Sequence, residues 1–133
     1  DPELIQPGAF SRGFGQRRMA ELLRDGPEFT AVFAANDVVA AGAAQALEEA
    51  GRRVPKDISL VGYDDIPVAQ EMRPKLTTVH VPLEEMGRQA VRLAVSGGDE
   101  DDWREPTTGA LRLGTHIVVR ESVAPRAAKG GRV

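Results

Sequence analysis

Phe33-Ala34-Ala35-Asn36-Asp37 and Ser59-Leu60-Val61-Gly62-Tyr63-Asp64-Asp65 decide the reading of this chain. Each is an apolar run that stops abruptly at carboxamide or carboxylate side chains. Between them, Val38, Val39, Ala41, Gly42, Ala46 and Leu47 form the apolar face of a helix that Gly51 ends. The pattern is strand, helix, strand, with polar groups at the carboxyl ends of neighbouring parallel strands. In open α/β sheets that edge is where small ligands bind.

The same grammar extends outward. Leu4-Ile5 reads as the end of a strand, and Gln6 to Phe10 as a loop broken by Pro7-Gly8. Ser11 is the expected cap of a helix carrying Phe14, Met19, Leu22 and Leu23, which Gly26-Pro27 stops. Strands are expected from Phe29 to Ala35 and from Ile58 to Gly62. A short helix is expected from Pro67 to Met72. Leu76 to Val81 is rich in β-branched residues and reads as extended. After Pro82 a helix carries Leu83, Met86, Gly87, Ala90, Val91 and Ala94 at three- and four-residue spacing. Ser96 to Pro106 reads as a loop with an acidic cluster, Asp99 to Asp102. Thr107 to Leu113 and Thr115 to Arg120 alternate like antiparallel strands, and a disordered tail is expected from Val123 onward. Alternating β and α units predict an α/β fold with a parallel sheet and right-handed crossovers.

Bulk composition narrows the function. The chain has 133 residues, enough for one ordinary domain. Its 41% apolar content permits a core, and with only one Trp, one Tyr and four Phe that core must be aliphatic. The net charge of −3 and the short, diluted basic pairs Arg17-Arg18 and Arg52-Arg53 give no basic face for nucleic acid. The absence of cysteine excludes disulfides and thiolate chemistry and fits a reducing cytoplasm. No apolar run approaches the roughly 20 residues of a membrane span. The opening Asp1-Pro2 lacks an initiator Met, as a fragment or a processed chain would.

The candidate site residues each have an ordinary structural reading beside the functional one. Asn36 and Asp37 compete for one helix N-cap, and the one left over is expected to point into the crevice. A carboxamide there would suit sugar hydroxyls or a purine edge. Asp64 and Asp65 are adjacent in extended structure and point to opposite sides, so they do not form a proton-sharing dyad. Asp64 is expected to accept from ligand hydroxyls while Asp65 fixes the turn, although turn chemistry alone also favours Asp at both places. Phe10 is either a plug over the core or a stacking wall. Phe10, Asn36 and Asp64 are expected to converge on a common rim. His80 and His116 look isolated from one another and read as strand residues rather than metal ligands. No catalytic constellation, metal site or cofactor motif is evident.

A resemblance adds to this. Phe33-Ala34-Ala35-Asn36-Asp37, Val54 to Asp65, Leu76-Thr77-Thr78-Val79, Glu85-Met86-Gly87 and Ile117 to Ser122 occur in the order and spacing of the lactose-repressor/galactose-repressor (LacI/GalR) family. The chain resembles the C-terminal part of that family's effector-binding region, a periplasmic-binding-protein-like fold of two lobes. The resemblance implies a C-terminal lobe over residues 1–75 and a crossover segment and helix over 76–98 that pack on a first lobe. It also implies returning strands over 99–122, with the tail 123–133 beyond them. It implies a binding module without catalysis, a small sugar-like effector, a homodimer in the cytoplasm, and DNA contact only through an N-terminal domain not represented here. By matching position, effector contacts fall to Phe10, Asn36 and Asp64. Ala9 replaces the family's usual Asp, and Val81 stands where many members carry Gln. Two other readings compete: a periplasmic sugar-binding protein of the same fold, and a phospho-accepting signalling domain, whose Asp and Lys would be differently placed.

Overall fold

The computed structural model describes residues 2–96 and 111–125. After a 3-10 turn at Pro2–Leu4 come α1 (Arg12–Asp25), β1 (Ala31–Phe33), α2 (Asp37–Glu49), β2 (Ser59–Asp64) and α3 (Val68–Glu71). β3 (Thr77–His80), α4 (Leu83–Ser96) and β4 (His116–Val118) complete the order. The sheet runs β1-β2-β3-β4, with the first three strands parallel and β4 antiparallel to β3. The mixed α/β class follows the expectation. The strand expected at Leu4-Ile5 is not there: Leu4 ends the 3-10 turn instead, and β1 is the outer strand of the described sheet. The strand expected over Thr107 to Leu113 and the acidic loop fall largely or wholly outside the described residues.

Local chemistry sets the helix boundaries. The Ser11 Oγ accepts from the Phe14 N–H at 3.2 Å and starts α1, and Gly26 closes it by donating to the Leu22 carbonyl at 2.9 Å. α1 and α2 pack against each other more closely than any other pair of elements. Two glycines allow this. A Cβ on Gly15 would lie 2.2 Å from the Val39 carbonyl oxygen, and one on Gly42 would lie 1.9 Å from that of Arg12. The core beneath is small and aliphatic: Ala40, Ala43, Ala46, Leu47, Ile58, Leu60, Ala69 and Leu76 are buried. Alanines on the inner face of α2 let the helix lie low on the sheet, where larger side chains would lift it.

One carboxylate joins the layers. Asp37, at the first position of α2, is fully buried. Its Oδ1 accepts from the Thr78 hydroxyl at 2.6 Å and its Oδ2 from the Ile66 N–H at 3.0 Å. A Cβ on Gly62 would lie 2.2 Å from that Oδ1, so β2 carries glycine where the carboxylate crosses it. The start of α2 favours a negative charge, which offsets part of the cost of burying one.

The returning chain is tied as firmly. Ser122 is fully buried; its Oγ accepts from the Thr77 N–H at 2.8 Å and donates to the Leu60 carbonyl at 2.6 Å. Ala124 donates to the Ser59 Oγ at 3.1 Å. The disordered tail expected from Val123 therefore does not begin there: residues 123–125 are held against β2, and the rest of the expected tail lies outside the described residues. By contrast, α4 makes little packing contact with the other described elements, and its Leu83, Met86, Val91 and Val95 are exposed. Leu83, Met86 and Val91 belong, with Ala90 and Ala94, to the apolar face expected to pack on another lobe.

Three outcomes test these packing claims. In urea denaturation of the chain, Gly42→Ala and Gly15→Ala should each cost about 1–3 kcal/mol by forcing the helices apart. Gly87→Ala, where an added Cβ meets nothing within 4 Å, should be neutral or stabilise by up to about 1 kcal/mol. Thr78→Val should cost about 2 kcal/mol, because it removes a hydrogen bond to a buried charge while keeping the shape.

Candidate functional site

The carboxyl edge of the parallel sheet holds the candidate groups. Asn36 follows β1 in extended conformation (φ −156°) and caps α2: its Oδ1 accepts from the Val39 N–H at 2.9 Å. The cap is therefore Asn36. Asp37, the residue left over, turns into the core and not into the crevice. With Oδ1 engaged, the half-buried Asn36 has its Nδ2 amide left to offer a ligand. Continuing the register Phe33↔Val61 by three residues brings Asn36 level with Asp64. The row extends across the sheet, because Asp64 is paired with His80 and His80 with His116.

Asp64 and Asp65 make the turn out of β2, both in left-handed conformation with φ of 103° and 60°. Such backbone disfavours most residues, and Asp tolerates it better than most. The two carboxylates then do different things. Asp64 is half-buried, and its carboxylate accepts no hydrogen bond from any described residue. Burial raises its carboxyl above the ordinary range, and the nearby Asp37 charge adds to the rise.

Asp65 is fully engaged. Its Oδ1 accepts from Arg120 Nη2 at 2.5 Å, and its Oδ2 lies 3.0 Å from His80 Nδ1. An ionised carboxylate only accepts, so that Nδ1 carries the proton of this bond. Burial alone would raise the Asp65 carboxyl, but the bonds from Arg120 and His80 outweigh it and hold it below the usual range. Asp64 and Asp65 are thus not extended as expected, and the Asp65 carboxylate, expected to fix the turn, instead bonds groups on β3 and just beyond β4.

Phe10 is 72% exposed in the loop before α1. It walls a cavity of about 490 Å³, together with Pro7, Phe14, Met19, Phe33 and Ala35. Asn36 and Asp64 are not among the walls of that cavity. The structure thus sets Asn36, Asp37 and Asp64 around one corner, and Phe10 across the outer edge of β1. Val81, the other departure from the family pattern, is buried and supplies no polar group.

Sequence reasoning missed the partners of Asp65. His80 and His116, read as isolated, are cross-strand neighbours with ring centroids 4.9 Å apart and planes inclined by 37°. Arg120 also donates to the Leu76 carbonyl at 2.8 Å, while its own N–H reaches the Thr77 Oγ1 at 2.9 Å. The signal was present only in the register of the returning strand, which spacing alone does not fix. Among the described residues, no group of three or more His, Cys, Asp or Glu is placed to hold a metal, and no helix is long and apolar enough to cross a membrane.

This geometry has close relatives. A family model described as a periplasmic binding protein-like domain matches residues 4–123. The HTH-type transcriptional regulator CelR of Thermobifida fusca is 43% identical over 124 residues, 92% of this chain and 35% of the relative. A solved complex of the transcriptional regulator CelR with cellobiose superposes with a TM-score of 0.79 at 42% identity, covering 92% of this chain and 36% of that one. A LacI family transcriptional regulator from Enterococcus faecium with bound ribose gives 0.77 at 37% identity, covering 91% and 43%. The chain spans about a third of the length of the curated relative it matches. It belongs to the periplasmic binding protein-like domain family, and within it to the effector-binding region of the LacI/GalR-type transcriptional regulators.

Proposed function

We propose that this chain is the ligand-sensing part of a LacI-type DNA-binding transcriptional regulator, and that a sugar or sugar-like metabolite is its effector. The observation that carries the effector site is Asp64. Of the three acids at this corner, Asp37 and Asp65 spend their carboxylates on the protein, while Asp64 keeps its own available. A carboxylate accepting from paired hydroxyls, beside an amide that donates, is the chemistry that grips a polyol. Asn36 supplies that amide; Phe10, exposed across the outer edge of β1, would stack only on a part of the effector that extends beyond the Asn36–Asp64 corner.

Effector binding would favour one setting of the two lobes and so change how the DNA-binding domains are presented. That is coupling through differential affinity. Such a regulator works in the cytoplasm and does no chemistry on its ligand. The regulator reading is preferred to a periplasmic sugar-binding protein because the relatives named above are transcriptional regulators.

The reading includes a homodimer joined through α2 and α3. A groove of about 840 Å³ runs along these helices, with Ala41 and Ala44 lining it beside Arg12, Glu48, Arg53 and Glu71. Small residues permit close approach, and charges of both signs can pair across a two-fold axis.

Calorimetry on the full-length protein tests the site. A mono- or disaccharide should bind, and Asp64→Asn and Asn36→Ala should each weaken binding by roughly 10- to 100-fold, the equivalent of about 1.5–3 kcal/mol. Absence of binding across a panel of sugars, or binding untouched by both substitutions, would refute it. In sedimentation equilibrium, Ala44→Arg should shift the full-length protein from dimer toward monomer.

A further inference from the structure

The chain leaves the sheet through β3 and returns through β4. His80 and His116, cross-strand partners, mark the two crossing points. α4, which follows β3 closely, makes little packing contact with the other described elements. Its setting on the sheet therefore depends on how the end of β3 is held. Asp65 meets that end. Its carboxylate holds His80 on β3 and Arg120 just beyond β4, and Arg120 in turn is bonded to Leu76 and Thr77 at the start of β3. Asp65 and Arg120 side chains are each only 13% exposed, so the pair is screened little by solvent.

We infer that Asp65 is a positioning residue that fixes the setting of α4 on the sheet, acting through Arg120 and His80. Asp64 and Asp65 share one left-handed turn, so a shift of the turn at one is felt at the other. The clasp exists whatever the ligand; its use as a relay from effector to lobe setting rests on the reading of Asp64 given above. A hinge needs a few residues that hold discrete arrangements, and a charge-assisted bond between a turn and two strands provides such a hold.

Asp65→Asn removes the charge yet suits the same left-handed backbone, so it isolates the clasp from turn strain. Arg120→Gln opens it from the other side. The measurement is a spin-label distance in the full-length protein made cysteine-free elsewhere. One label is at Ala20→Cys on α1 and the other at Val95→Cys on α4, both exposed positions in a chain with no cysteine of its own.

The expected result is one narrow distance distribution in the parent. Asp65→Asn and Arg120→Gln should each at least double its width, with no further broadening in the double variant. Arg120→Lys, which keeps the charge, should recover most of the narrow distribution. Arg24→Gln breaks a remote exposed pair with Asp25 and should leave the width unchanged. A loss of stability alone would not produce this pattern. Unchanged widths in both clasp variants, or equal broadening by Arg24→Gln, would overturn the inference. The readout needs no effector, so that failure is distinct from a failure to bind sugar.

Discussion

The buried carboxylate of Asp37 is the constraint on which the rest of the structure depends. It begins α2, passes over Gly62 of β2, accepts from Thr78 of β3 and holds the backbone at Ile66 beyond the β2 turn. Three segments distant in sequence are located by one group. An ion with no counter-charge bonded to it is a costly thing to bury, and it is tolerable only when its oxygens are satisfied and a helix start lies behind it. Because those demands are directional, they fix where α2 sits along the sheet, which an aliphatic core of alanine and leucine would do only loosely.

From this anchor the edge acquires its division of labour. Three acids lie within a short reach of each other, and the environment of each decides its role. Asp37 is committed to the fold and Asp65 to β3 and the chain just beyond β4. Asp64 is held in strained backbone between them, its carboxyl raised by burial and by the Asp37 charge. A group whose ionised form is penalised in this way has the most to gain from a ligand that donates hydrogen bonds to it.

Much of this was legible in the chain. Helix starts were readable because Ser11 and the Asn36-Asp37 pair are cap chemistry at the head of apolar periodicity, and the parallel strands because short β-rich runs alternate with those helices. The choice between Asn36 and Asp37 was not legible. Either side chain can cap, and only the buried Thr78 hydroxyl and the Ile66 amide, distant in sequence, decide the matter. The pairing of His80 with His116 was hidden for the same reason, since it depends on the register of a strand that returns after a long excursion. Leu4-Ile5 looked like a strand from composition, but a strand needs a neighbour, and among the described residues this segment has none in the sheet.

The outer margin of β1 carries a consequence for handling the molecule. Its backbone groups on that side have no partner strand in the described sheet, Phe33 stands exposed beside them, and an apolar hollow runs alongside. Neither proline nor lysine occurs in Ala31–Phe33 to discourage a foreign strand from adding there. Only the shortness of β1, three residues, limits such pairing, so the isolated chain in concentrated solution should associate edge to edge weakly and reversibly, and a short peptide capping that margin should suppress it.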